Sequence, residues 1–580
     1  MTARSRIRQK PSPLAMPASP KELLSPLLAA LAAIALASAV FAIYSPALNF
    51  KFILDDHHFI NDPRLQSSGH IWEYFTSYVW AQTTGGPSSF YRPVFVVWLR
   101  LCFILSEMSS WGWHLLSIAK HLLVALLLGL LVLKLLRDRV AALIAGTLFA
   151  LHPAQTESVA WVTVPDPIMS AAALGTLLLY LKYAESLEKI HPTRLHRRPS
   201  KRNHKNSRAR SWWWLVFSAA ACLAALMSKE TAIMLPAVIF VMAFAVPSSF
   251  VSSNSEKAES GRGISGLRVR IIFAFREALP FLLVTVIYLG CRLNALHGRL
   301  TAATQHLPWR TVLLSAPATL WFYVKVLLWP IRSRAFADPD LADHFAWGSV
   351  IFPALALTGL LATLICACFW AWRKAQRELP VLDATGVKRA LALGTSVLIL
   401  PILPTLNPNA LNPGDFLHGR YTYLPLAGLL ILIATIWHLA PRNRLPLLAV
   451  AGLIAATFSV LTLKQEKAWE NDLSVFTVAH EIAPHNGPVA QGLARAHVQV
   501  ALALDEAGEC DQAVPMFEQA IQQYPQDWFA WAGLGECLFK LNDLPGAERS
   551  LHRAADLSHE PKVKEEWEQI REKMGFPPPA

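Results

Sequence analysis

Two adjacent carboxylates, Asp55 and Asp56, follow the first long apolar run of the chain, in the stretch Asn49-Phe50-Lys51-Phe52-Ile53-Leu54-Asp55-Asp56-His57-His58. Facing lipid, such a pair would be prohibitive, so it must lie at a membrane surface or in a polar cavity. A carboxylate there can take the proton from an incoming hydroxyl, more effectively when burial raises its pKa. The opposite task, holding a departing phosphate, suits lysine or arginine, the latter able to do it bidentately, and Arg92, Lys229, Arg299 and Arg420 are the cations expected on the same face. His152, Glu157, Asp166 and Glu230 are supporting polar positions, with Arg299, Asp415 and His418 at the same interface. An Asp-Asp pair can equally serve a divalent cation, so metal use stays open and no cofactor is otherwise indicated. Taken singly, each charge also suits an interfacial anchor or a salt-bridge partner, and spacing alone does not say which groups converge.

The elements that must position these residues are membrane helices. The 580-residue chain is 54% hydrophobic and only 16% charged. Soluble domains carry roughly 25% charged residues, so the balance points to an all-α, polytopic membrane protein in contact with the lipid bilayer. The net charge of +13 does not indicate a nucleic-acid partner. Basic residues concentrate in short segments between apolar runs, above all in 186–211, where the positive-inside rule makes them cytoplasmic anchors. The seven cysteines form no CxxC pair. Cys510 and Cys537 admit a disulfide that no framework supports, and the other five suit packing.

Residues 1–22 read as a cytoplasmic lead and 23–44 as a first span, not a cleaved signal. The loop 45–113 is then extracytoplasmic, and 90–108, interrupted by Arg100, suits an interfacial helix. Spans follow at 114–134, 140–151, 167–183, 212–227, 231–247, 275–292, 349–372, 388–404, 421–438 and 445–462, giving about eleven crossings. The run 311–330 is ambiguous. As an outer-surface or re-entrant helix it keeps Arg373, Lys374 and Arg377 inside, as the charge rule prefers. The acid pair and the carboxy-terminal tail then share the outer side, with the compositional style of a bacterial inner membrane and a periplasmic tail. Within the tail, Ala513, Phe517 and Ala520 recur 34 residues on as Ala547, Leu551 and Ala554, and Trp531, Leu534 and Gly535 match a repeat's first helix. That period is the tetratricopeptide repeat, whose stacked helix pairs form a peptide-binding groove. A single helix, Leu473 to Pro484, is expected ahead of them. The expected domains are the lead 1–22, a membrane domain 23–464 and an extracytoplasmic repeat domain 465–580.

Several motifs in order carry a resemblance: Leu54-Asp55-Asp56, Tyr91-Arg92-Pro93, Trp111-Gly112-Trp113-His114-Leu115, Ser228-Lys229-Glu230 and Arg420-Tyr421-Thr422-Tyr423-Leu424-Pro425. The most specific is His152-Pro153-Ala154-Gln155-Thr156-Glu157-Ser158-Val159-Ala160. Together they resemble the transmembrane-and-tetratricopeptide O-mannosyltransferases of the GT-C superfamily, over nearly the whole chain. The resemblance implies a GT-C membrane domain with its active site on the extracytoplasmic face. It also implies a polyprenyl-phosphate-linked sugar donor, typically mannose, a Ser or Thr hydroxyl of a protein as acceptor, and inversion in one displacement. By motif position, Asp55 or Asp56 would be the base, Asp55 marginally first, and Arg92, Lys229 and Arg420 would hold the donor phosphate. The chain departs from that pattern at Val164-Pro165-Asp166-Pro167, where relatives carry an arginine, and in its few repeats. Other readings are a lipid- or glycan-directed GT-C transferase and a non-catalytic membrane-anchored repeat scaffold. A transporter would show paired broken helices or an internal duplication, and neither is seen.

Overall fold

The computed structural model describes residues 26–573 apart from 82, 84–88, 191–200, 247–263, 299–306, 332–340, 411–416, 441–443 and 559–560. The lead 1–22, most of the basic and Ser/Gly-rich loops, Arg299 and Asp415 lie outside the described residues.

The chain is an all-α membrane bundle followed by a helical repeat array. Helix α1 (Pro26–Tyr44) leads into the acid-pair segment and the short α2 (Asp56–Ile60). After them come α3 (Pro93–Ser106), α4 (Ser110–Leu136), α5 (Arg139–Leu151), α6 (Thr156–Ala160), α7 (Asp166–Ile190), α8 (Lys201–Leu226) and α9 (Leu235–Ala245). The bundle closes with α10 (Ile264–Ala295), α11 (Trp309–Leu328), α12 (Phe352–Glu378), α13 (Val381–Ile399), α14 (Tyr423–His438) and α15 (Leu445–Glu466).

Nine helices among the described residues are long and apolar enough to cross a bilayer. Eight fall on expected spans, and the ninth is α11. The expected spans at 140–151, 212–227 and 231–247 appear as shorter apolar helices. In α5 both limits are chemical. Asp138 caps its start by accepting from Val140 and Ala141 N–H at 3.1 Å, and His152-Pro153 ends it, since a proline disfavours helix in the residue before it. Both ends of α11 are tied to one end of the bundle. Leu307 exchanges hydrogen bonds with Asn409 beyond α13 (2.7 and 3.1 Å), and Gln465 at the end of α15 donates to the Pro330 carbonyl at 2.6 Å. Such tethering suits a helix lying along that surface or re-entering from it.

Small residues let the core helices approach closely, the usual device where burial in lipid gives no hydrophobic drive. A Cβ on Gly428 would stand 2.3 Å from the Leu398 nitrogen, and one on Gly386 2.3 Å from the Leu135 carbonyl. At the end of the bundle away from the acid pair, Asp138 also binds His438 (3.1 Å) and Arg444 (3.0 Å). Burial alone would raise its carboxyl, but His438, the Ala141 N–H and Arg444 outweigh it and hold the group at about 2.

The tail begins with α16 (Asp472–Ile482), the single helix expected near 473–484. Then come α17 (Gly487–Glu506), α18 (Cys510–Gln523), α19 (Trp528–Lys540), α20 (Leu544–Leu557) and α21 (Pro561–Lys573). The period-34 residues do what the pattern demands. Ala513, Phe517 and Ala520 pack with Ala530 and Leu534, and Ala547, Leu551 and Ala554 pack with Trp567. Cys510 and Cys537 are free thiols, both donating to Asp505 (2.9 and 3.2 Å), which Lys540 also binds at 2.7 Å.

Candidate active site

The acid pair sits on a tight turn. Leu54 adopts φ +51°, a left-handed backbone that a non-glycine residue takes at some cost, and Asp55 then sits at the N-cap position of α2 without a side-chain cap bond. This geometry sends the two carboxylates to different places. Asp55 lines a cleft of about 260 Å³. Asp56 is fully buried behind it, accepting at Oδ1 from the Thr163 hydroxyl (2.6 Å) and N–H (3.1 Å) and at Oδ2 from the Ile53 N–H (3.1 Å). Burial pushes the Asp56 carboxyl up to about 7, against the pull of those donors. Such a value would suit a general base, but geometry ranks ahead of pKa, and both Asp56 oxygens are already engaged by these donors. The same donors leave the pair poorly arranged as a metal chelate, which needs both carboxylates turned to one point.

Three cations from separate parts of the chain line the same cleft as Asp55, each braced by its own carboxylate. Arg92 forms a forked contact with Glu230 (Nε to Oε2 3.0 Å, a terminal nitrogen to Oε2 2.8 Å) and stacks on Phe90 at 4.1 Å. Lys229 binds both Asp166 oxygens at 2.6 and 2.7 Å and lies 4.4 Å above the Tyr421 ring. Arg420 lies 4.4 Å above Trp161, 3.5 Å from Glu157, and its N–H donates to the same carboxylate at 2.9 Å. Glu157 also binds His418 Nδ1 at 3.0 Å. Burial pushes the Lys229 ammonium down to about 8; Asp166 opposes this, and the Arg420 and Arg92 charges add to it. The remaining walls are largely aromatic: Phe59, Trp80, Phe90, Phe95, Trp161 and Tyr421. Cationic heads beside aromatic faces suit a ligand carrying an anionic group next to a flat polar ring.

One face of α4 holds the wall in place. His114 Nε2 binds the Ala160 carbonyl at 3.1 Å, Ser117 donates to Val159 O at 2.6 Å, and the buried Lys120 donates to Val162 O at 2.9 Å. Their spacing of three residues puts all three on one side of the helix. They fix the loop 159–165, which carries Trp161 and Thr163.

Chain comparisons agree with this architecture. Residues 500–558 match the tetratricopeptide repeat family model. Over the longer chain, the similarity is to "Protein O-mannosyl-transferase Tmtc1" of Drosophila melanogaster, 26% identical over 77% of this chain and 57% of that protein. "Protein O-mannosyl-transferase TMTC3" of Mus musculus is 23% identical over 90% of this chain and 54% of its own length. "Protein O-mannosyl-transferase TMTC1" of Homo sapiens is 24% identical over 87% and 56%. Along most of its length the chain is similar to these TMTC proteins. It spans about half the length of these curated relatives.

Asp55, Arg92, Lys229 and Arg420 line one cleft, while Glu157, Asp166 and Glu230 each pair with one of the cations. His152 stands apart. Its Nδ1 accepts from the Ala154 N–H at 3.2 Å and its Nε2 binds the Leu327 carbonyl at 3.1 Å, so it ties the end of α5 to α11. At the departure Val164-Pro165-Asp166-Pro167, Asp166 pairs with Lys229. Sequence reasoning passed over Trp80, Trp161, Thr163 and Tyr421 in the cleft, and Lys120 beneath it. Lys120 alone had a readable signal, a lysine inside an apolar span.

Proposed function

We propose that this protein is a GT-C-type glycosyltransferase that moves a sugar, mannose on the model of its relatives' names, from a polyprenyl-phosphate donor to a Ser or Thr hydroxyl of a protein. The observation that carries the reading is that Asp55, Arg92, Lys229 and Arg420 line one aromatic-walled cleft. Asp55 takes the proton as the acceptor oxygen attacks the anomeric carbon. The bond to the donor phosphate breaks on the opposite side, and the configuration inverts in that single displacement. The phosphate charge that develops falls to the three cations, already oriented by Glu230, Asp166 and Glu157. Asp56 acts through Thr163, fixing the acid-pair turn against the loop that carries Trp161. The reading divides the chain into the lead 1–22, a transferase domain 23–464 and a repeat domain 465–580 that presents acceptor. Cleft and repeats face away from the cytoplasm, by the positive-inside rule. The relatives come from animals, which gives the expected bacterial inner membrane no support.

The test is incubation of the purified chain, in lipid nanodiscs, with labelled polyprenyl-phosphate-mannose and co-purified protein. Label on Ser or Thr supports the reading. Label confined to lipid or glycan moves the acceptor class, and no transfer at all leaves a repeat scaffold.

A further inference from the structure

The hinge between α15 and α16 touches both walls of the cleft. Asp472 accepts from the Leu54 N–H at 2.8 Å through Oδ1 and binds His57 Nε2 at 2.7 Å through Oδ2. These two contacts stand immediately before and after Asp55-Asp56, so one carboxylate from the tail brackets the acid pair. Beside it, the Lys51 N–H donates to the Glu470 carbonyl at 3.0 Å. On the other wall, Trp469 is buried and stacks on Trp161 (centroids 6.3 Å, planes 26° apart), the ring on which Arg420 rests. Phe50, Ile53, Val164 and Val475 fill the space between.

Capping does not explain Asp472. Asn471 already caps α16 by accepting from the Ser474 N–H at 3.0 Å, so the next carboxylate is left to serve the loop. Its partner is also the residue that needs holding: Leu54 has φ +51°, a conformation a leucine keeps only when its surroundings impose it. Released from Asp472, the turn would relax toward ordinary backbone angles and carry Asp55 with it.

We infer that Asp472 is a positioning residue for Asp55, which makes the first segment of the tail a working part of the cleft and not only a tether for the repeats. This rests on Asp55 acting as the base. It also predicts which half of the tail matters for chemistry: residues 466–482 support the base, whereas the repeats after 486 do not touch the acid-pair turn through any contact described.

The test uses the full chain with Asp472→Ala and Asp472→Asn, reading sugar transfer from polyprenyl-phosphate-mannose and, separately, amide hydrogen exchange over residues 51–60. Asp472→Ala is expected to lower kcat at least 10-fold with KM for the donor within twofold, because the three cations are untouched. Exchange at Leu54 and its neighbours should rise. Asp472→Asn should recover most of the rate, since its amide oxygen still accepts from the Leu54 N–H. Wild-type kcat in Asp472→Ala, unchanged exchange there, or an asparagine no better than alanine overturns the inference. Should the wild-type chain transfer no sugar, the functional reading fails by itself, and exchange alone then decides whether Asp472 holds the turn.

Discussion

At the scale of single residues, the cleft is a set of paired charges whose members are unequal. Lys229 and Asp166 are both buried, and removing one partner of such a pair costs about 3–5 kcal/mol because the other charge is stranded. Lys229→Ala should therefore lower the melting temperature as well as transfer, whereas Arg92→Ala, at a more open site, should weaken donor use with less loss of stability. Thermal melts beside KM for the donor separate the two. Thr163→Val removes a 2.6 Å bond to Asp56, a loss of about 0.5–1.5 kcal/mol with the acid neutral and more once it is ionised, and should loosen the acid-pair turn. His57 supplies a pH signature. The hydrogen bond to Asp472 raises its pKa above the ordinary 6.5, against partial burial and with the Asp472 and Asp56 charges adding to the rise. With the folded pKa above the unfolded one, the stabilisation is complete below pH 6.5 and is lost as pH climbs through the folded value. Melting temperature should fall over that interval in the wild type and flatten in His57→Gln, modestly, since the ring is 44% exposed and partly screened. A wild type that gains stability there contradicts the pairing. The charged residues themselves were legible, because charges within apolar sequence are few and expensive. Their pairings were not: Arg92 and Glu230 lie 138 residues apart, and nothing in either motif names the other.

At the scale of elements, hydropathy located the long helices because a span of about 20 apolar residues is a strong signal. The expected spans at α5, α8 and α9 fall on apolar stretches of helix shorter than that length. The repeat period exposed the tail's packing because each repeat reuses the same contacts. The seat of α16 on the acid-pair turn left no such trace; Asp472 is an ordinary first-turn acid in sequence. Lys120 belongs to this scale too, as the far end of the α4 row that clamps loop 159–165. Lys120→Met keeps the length and apolar stem but frees two carbonyls, so transfer should drop by more than tenfold while the repeats keep their fold, checked by circular dichroism and activity together. Gly428 fixes the approach of α14 to α13. Gly428→Val should prevent folding to a stable bundle, with detergent-solubilised yield as the measure, because the new side chain meets backbone.

For the whole molecule, the arrangement joins a helical repeat array to the Asp55 cleft at one end of a membrane bundle. The Asp138 clamp marks the other end. Cysteines introduced at exposed tail positions and near the cleft should share one side by impermeant-reagent labelling, with the turn at 137–139 on the opposite side. The most direct measurement compares transfer of labelled mannose into protein by wild type, Asp55→Asn and Asp56→Asn, inserted and folded to equal extent. Loss of at least a hundredfold in Asp55→Asn, with a smaller loss in Asp56→Asn, is the result expected if Asp55 faces the acceptor and Asp56 holds the turn. Full transfer by Asp55→Asn would contradict it.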